Sequence, residues 1–252
     1  MLVDTHCHLY FEGIRNDIDN VLDRANSLGV SRFICVGTNL EDSILSLNIA
    51  KEFKNIYASA GIHPHDVNDL PEDYIKQIYN LMSNPEMVAV GEIGLDYFKN
   101  ITSPKLQKTV LRAQMKVAKE LKKPIIFHNR EADDDMISIL EEFPEVKGVA
   151  HCFSSTLETA EKFIEMGYLI SFSGNLTFKN SHLPDVAKNI SLNNILIETD
   201  SPFLSPVPHR GKPNEPGRTR FVAEKLADIQ NVDFKVVSKK TTQNAISLFN
   251  LN

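Results

Sequence analysis

Eight short apolar runs, set along 252 residues and parted by longer stretches of helical spacing, restrict what this chain can fold into more than any other feature. They fall at 2–8, 30–36, 56–62, 87–92, 124–128, 147–151, 168–173 and 194–199. Most are rich in Val, Ile, Phe or Ala without polar alternation, as strands are when a parallel sheet is covered on both faces. Between them apolar residues recur every three or four positions. The clearest case is 104–122, where Leu106, Val110, Met115, Ala118 and Leu121 mark one helical face. Ser103 and Pro104 suit the cap and first turn of that helix. Eight strand–helix units make an α/β chain, which can be a doubly wound open sheet or a closed (β/α)8 barrel of the TIM type. An open sheet gathers its chemistry at one switch point, whereas here ionisable residues end almost every run, which favours the barrel. No repeat, low-complexity tract or linker interrupts the pattern, so residues 1–252 are expected to form a single domain. The stretch 200–217, with Pro202, Pro206, Pro208, Pro213 and Pro216, reads as a stiff loop before a helix near 216–230.

Composition excludes little beyond this. A net charge of −6 rules out a surface that is basic all over but leaves room for a local basic patch. Cys7, Cys35 and Cys152 lie far apart with no C-x-x-C pair, which argues against a disulfide framework or a zinc knuckle. No basic stretch followed by an apolar one opens the chain and no membrane span is visible, so the cytoplasm is the expected location. A monomer is the default expectation.

The first run reads Asp4-Thr5-His6-Cys7-His8. Strand alternation points His6 and His8 to the same side, with Asp4 one layer lower, where it could steady a ligand. Histidines at that spacing can chelate a metal ion, or can simply be hydrogen-bonded. The other run ends weigh in: Glu92 follows Val88-Ala89-Val90-Gly91, His128 follows Ile125-Ile126-Phe127, His151 follows Val149-Ala150, and Asp200 follows Ile195-Leu196-Ile197-Glu198-Thr199. Active sites of such barrels form at this end of the strands. Six imidazole and carboxylate groups are too many for one tetrahedral ion and suit two divalent cations sharing a carboxylate. Glu92 is the natural bridge, with His6, His8 and Asp200 on one ion and His128 and His151 on the other. Imidazole-rich ligation fits zinc or manganese better than an all-oxygen magnesium cage, without choosing among them.

With these segments in view the chain resembles the TatD family of metal-dependent deoxyribonucleases, within the amidohydrolase-like barrels. The resemblance rests on D-T-H-C-H-L (4–9), G-I-H-P-H (61–65), G-E-I-G-L-D-Y (91–97), F-H-N-R (127–130), H-C-F-S (151–154), E-T-D-S-P-F-L (198–204) and H-R-G-K-P-N-E-P (209–216), in order along nearly the whole chain. It implies that the metal ligands are His6, His8, Glu92, His128, His151 and Asp200. Phe203 stands where the family often has Tyr, and Asn129 fills a variable place.

The resemblance also implies a substrate role for His63, more than for its neighbour His65; the plain alternative is a structural pair stiffened by Pro64. Arg130 either clamps a phosphate or pairs with an acid such as Asp96. Arg210 and Lys212 gain weight from the resemblance as a basic rim for a polyanion, whereas Arg218 and Arg220 do not. The acidic run 131–135 opens a helix, where carboxylates favour the positive end of the dipole rather than a metal. Cys7 and Cys152 are expected to pack away from the site. The implied reaction is hydrolysis of phosphodiester bonds, most readily in single-stranded or frayed DNA, with Asp200 accepting the proton of the attacking water beside Glu92. Base stacking would fall to residues such as Phe98, Phe153 or Phe203. Hydrolysis of an aminoacyl ester or amide, as in a D-aminoacyl-tRNA deacylase, is the alternative on the same centre.

Overall fold

In the computed structural model, which describes residues 1–99 and 101–251, the eight runs become eight parallel strands in sequential order. The strands are β1 (Leu2–Cys7), β2 (Val30–Val36), β3 (Ile56–Ala60), β4 (Met87–Asp96), β5 (Ile125–Arg130), β6 (Gly148–Ala150), β7 (Leu169–Phe172) and β8 (Ile195–Ile197). Helices α1 (Glu12–Arg15) and α2 (Ile18–Ser27) follow β1, and α3 (Leu40–Glu52), α4 (Tyr74–Met82), α5 (Pro104–Leu121), α6 (Asp133–Glu141), α7 (Leu157–Glu165) and α8 (Leu183–Asn189) follow β2 to β7 in turn. After β8 come a long loop and helices α9 (Thr219–Gln230) and α10 (Phe234–Phe249). The barrel closes where the chain beyond β8 meets β1: His8 N–H donates to the Ser201 carbonyl at 2.8 Å and Asp200 N–H to the His6 carbonyl at 2.9 Å. This is the (β/α)8 barrel expected from the pattern. No helix among the described residues is long and apolar enough to cross a membrane.

Two local departures from regular strands matter later. The β1–β2 pairing steps from Asp4↔Phe33 to Cys7↔Cys35, and the β4–β5 pairing from Val90↔Ile125 to Ile93↔Phe127, so β1 and β4 each carry one extra residue. A bulge of this kind re-aims the side chains beside it. β4 also runs four residues beyond Glu92, because Gly94 lets it lie against β5; a Cβ there would meet the His128 carbonyl oxygen at 2.0 Å.

Inside the barrel Val3, Ile34, Val88, Ile126, Val149 and Leu196 pack with Phe249 and Leu251, so the end of α10 stoppers the bottom. A larger apolar shell joins strands to helices. α5 begins as expected, with the Ser103 hydroxyl accepting from Leu106 N–H and Pro104 in the first turn; Lys122, in the left-handed region, ends it. Its inner face also carries two buried amides that the apolar pattern hid. Gln107 bonds both main-chain groups of Asp96 at 2.9 Å, and Gln114 bonds the Ile62 N–H at 2.7 Å and carbonyl at 3.1 Å. Spaced seven residues apart on one helical face, they fix the ends of β3 and β4.

Candidate metal centre

At the open end of the strands a cavity of about 730 Å³ is lined by His8, His63, Glu92, His128, His151 and Asp200 among others. The bulge in β4 places Glu92 at its centre, with one oxygen toward each side. Glu92 Oε2 lies 3.4 Å from His6 Nε2. Glu92 Oε1 lies 2.9 Å from His151 Nε2, 3.3 Å from His128 Nδ1 and 3.4 Å from His63 Nε2. Around Oε2, His6 Nε2 and His8 Nε2 are 3.3 Å apart, and Asp200 Oδ1 stands 3.3 Å from His8 Nε2 and 3.7 Å from His6 Nε2. His128 Nδ1 and His151 Nε2 are 3.4 Å apart.

Donors held about 2.1 Å from one tetrahedral ion stand about 3.4 Å from each other. Both groups come near that spacing, so the residues present fit divalent-cation ligation on either side of Glu92. The nitrogens are also turned the right way. His8 Nδ1–H donates to the Val36 carbonyl at 2.9 Å, His128 Nε2–H to Asp96 Oδ2 at 2.9 Å and His151 Nδ1–H to Glu198 Oε1 at 3.3 Å. Each bond spends the proton on the outer nitrogen and leaves a lone pair facing the centre.

The charges agree. Burial opposes ionisation of Glu92, but His151 and the hydrogen bond with His128 outweigh it and hold the carboxyl well below its usual range. Burial likewise opposes charge on Asp200, and His8 and His6 overcome it. Against the same desolvation, Asp200 draws His8 toward protonation, Asp96 and Glu92 draw His128, and Glu92 and Glu198 draw His151. The cluster therefore seeks positive charge, and divalent cations compete with protons for the same lone pairs.

His63 belongs to the cluster but differs in kind. Its Nδ1 accepts the His65 N–H at 3.1 Å, which leaves the proton on Nε2, aimed at Glu92. Burial lowers its pKa to about 3, so it is a neutral N–H donor rather than a lone-pair ligand. His65 Nε2 sits 3.1 Å from Asp96 Oδ2, beside the carboxylate that orients His128 but without a hydrogen bond to it.

Several expectations need correction. Asp4 does not reach an imidazole. With the bulge in β1 breaking alternation, its carboxylate accepts from Thr199 N–H at 2.8 Å and Thr199 Oγ1–H at 2.5 Å, stapling β1 to the chain after β8. Asp96 is engaged by His128 and His65, so it is not the partner of Arg130, whose guanidinium lies 3.7 Å over the Phe98 ring at the cavity edge. Arg210 and Lys212 are exposed and absent from the cavity lining; Arg210 stacks 3.7 Å over Phe178. Of the proline-rich loop Phe203 and Leu204 line the cavity, and the cavity's lysine and arginine lining is Lys99 and Arg130. Arg218 braces that loop through Ser205 and Pro213, and Arg220 pairs with Glu224. Cys7 packs away as expected, but Cys152 lies on the turn after β6, where alternation no longer applies, and lines the cavity. Phe153 is buried and offers no stacking face. The acidic run behaves as a helix opening, with Asp133 holding Asn129, Ser155 and Thr159.

Reasoning from run ends missed Asp96, Glu198, Lys99 and Phe11. Glu198 is buried; besides His151 it accepts the Cys152 N–H at 2.7 Å. Asp96 and Glu198 stand inside the motifs at 91–97 and 198–204, so a signal existed, but it names no partner.

Comparison with known proteins bears on this geometry. A family model described as TatD related DNase matches residues 3–250. YabD of Bacillus subtilis, an uncharacterized metal-dependent hydrolase, is 40% identical over 255 residues, covering 100% of both chains. YcfH of Escherichia coli, also an uncharacterized metal-dependent hydrolase, is 38% identical over 257 residues, covering 100% of this chain and 96% of its own. The crystal structure of YjjV, a TatD homolog from Escherichia coli, matches with a TM-score of 0.95 at 30% identity, over 100% of this chain and 98% of that one. A TatD family hydrolase from Entamoeba histolytica shares the fold, with a TM-score of 0.90 at 24% identity over 100% of this chain and 98% of that one.

Proposed function

Because the chain belongs to the TatD-related family and is a metal-dependent hydrolase of that type, we propose that it is a deoxyribonuclease acting on single-stranded or frayed DNA. The observation that carries the reading is Glu92 set between two groups of donors near ligand spacing, in a cavity that Lys99 and Arg130 also line. His6, His8, Glu92 and Asp200 would hold one divalent cation, and Glu92, His128 and His151 the other. When bound, such ions supply Lewis acidity that stabilises phosphoryl charge and acidifies a water nucleophile.

The chain's own groups do the rest. Asp200, kept ionised by His8 and His6, accepts the proton of the attacking water. His63, neutral and donating through Nε2, stabilises charge on a phosphoryl or leaving oxygen by a hydrogen bond rather than by giving up a proton. Arg130, held flat over Phe98, presents a planar fork suited to a phosphate, and Lys99 adds charge beside it. A site at the base of a barrel mouth takes a strand end more readily than an intact double helix.

The test is one panel of substrates for protein of known metal content: single-stranded DNA, blunt duplex, RNA, D-aminoacyl-tRNA and dipeptides. Single-stranded DNA is expected to be degraded fastest, with loss on chelation and recovery with added manganese, magnesium or zinc. Asp200→Asn should lower the rate by roughly 100-fold or more. Deacylation of the aminoacyl-tRNA without any DNA cleavage would overturn the nuclease reading in favour of ester hydrolysis.

A further inference from the structure

The geometry points to a nucleobase-stacking subsite formed by Phe11 and Phe203 at the cavity mouth, so that a single strand is gripped by base as well as by phosphate. This rests on the nuclease reading above and deepens it.

The argument begins from where apolar surface has been left in water. Of 14 phenylalanines only three are exposed, Phe11 at 39%, Phe98 at 52% and Phe203 at 48%. All three stand around this one mouth: Phe11 and Phe203 line the cavity, and Phe98 carries Arg130, which also lines it. An exposed phenylalanine forgoes the burial that stabilises the fold, and idle ones scatter singly. Gathering every exposed ring beside the reactive carboxylates marks a contact surface.

The rings are also fixed in place. Phe11 and Phe203 meet edge to face, 5.4 Å apart at 87°, and Phe11 rests on Tyr10 at 5.3 Å. Both lie close to the ring of His8, at 6.0 Å and 6.1 Å. The main chain of Phe203 is tied at both groups: its N–H donates to the Asp200 carbonyl at 2.8 Å and its carbonyl accepts from Asn214 Nδ2 at 2.7 Å. Asn214 itself is buried. A flat ring on a backbone held this way loses little freedom when a ligand settles on it.

The chemistry of the occupant follows from what faces the rings. Phe11 and Phe203 stand on the His8 and Asp200 side of the cavity, while Lys99 and Arg130 belong to the side formed by the ends of β4 and β5. A ligand that spans the cavity must offer a flat apolar face at one end and negative charge at the other. A nucleotide within a single strand carries both, and each base has a π-face, so the platform tolerates any sequence. An aliphatic acyl group or a compact amino acid would leave one wall unused.

The experiment measures equilibrium binding by fluorescence anisotropy. The metal-loaded protein is titrated into labelled phosphorothioate oligothymidylate, which resists hydrolysis, and into matched oligonucleotides with abasic residues at the 3′ or the 5′ end. The wild-type protein is expected to bind the intact strand about 10-fold more tightly than one of the two abasic strands, in line with base–aromatic stacking. Phe203→Ala and Phe203→Leu should each weaken binding of the intact strand about 10-fold, yet barely change binding of that abasic strand. The leucine variant keeps apolar contact with Phe11 and removes only the flat face, so a folding defect would not explain a shared loss; melting temperatures check this. Equal binding of intact and abasic strands by a wild-type protein that does cleave DNA sinks the subsite and leaves the nuclease standing. A wild-type protein that neither binds nor cleaves DNA sinks both.

Discussion

Glu198 offers the sharpest test of how the metal centre is held. It has 0% exposure and touches no ligand atom on the side that faces the centre. One oxygen receives the His151 Nδ1–H at 3.3 Å and the Cys152 N–H at 2.7 Å; the other is buried without a partner. In Glu198→Gln the amide oxygen can keep both bonds, but without the charge. A hydrogen bond to a charged group contributes ~1.5–3 kcal/mol and a neutral one ~0.5–1.5 kcal/mol, so the change costs about 1–1.5 kcal/mol. That is about 10-fold in metal affinity, at the lower edge of what outer partners of metal-bound histidines contribute. Glu198→Leu strands both donors and should approach 100-fold. Zinc titration against a chromophoric chelator reads the affinity directly, with no assumption about substrate. If both variants keep affinity within two-fold of the parent, His151 is oriented by something else, such as its stacking on His6 at 3.9 Å.

Two further predictions separate neighbouring roles. His63→Phe should reduce kcat by about 10–100-fold while metal content, measured by mass spectrometry of the digested protein, stays at the parental stoichiometry. Loss of one metal equivalent would instead make His63 a ligand. Gln114→Leu removes the partner of both buried main-chain groups of Ile62 and should destabilise the fold by roughly 2–4 kcal/mol, read from urea unfolding. An unchanged unfolding midpoint would mean that α5 does not hold the end of β3.

The barrel was legible because its signal is repeated. Apolar runs capped by ionisable groups recur along the chain, and parallel strands carry all their ends to one side. His6, His8, Glu92, His128, His151 and Asp200 can therefore be read as one cluster from the sequence. What was not legible depends on the residue across the gap. Asp96 matters because β4 and β5 set it beside His128, and Glu198 because it sits behind His151; neither pairing follows from spacing along the chain. The bulges in β1 and β4 are equally silent in sequence, and the first one undid the alternation that had aimed Asp4 at a ligand. Arg210 and Lys212 mark a different limit. Their motif is present, but neither is part of the cavity lining, and Arg210 stacks on Phe178 instead.

The bulge in β1 also links the seam of the barrel to its chemistry. A barrel must join its last strand to its first, and β8 ends at Ile197, short of the level where the ligands stand. Thr199 and Ser201 extend the seam upward by bonds to Asp4 and His8, which is the reason Asp4 is spent on Thr199. One consequence falls on His6. His8, His128 and His151 each have an acceptor for the outer nitrogen, whereas His6 Nδ1 is buried with no partner among the described residues. Its ring is placed by packing, stacked on His151 at 3.9 Å and set against His8 at 4.9 Å. His6 thus depends on the rest of the cluster for its orientation, and the centre stands or falls as a unit because the fold uses Asp4 to close the barrel rather than to hold a ligand.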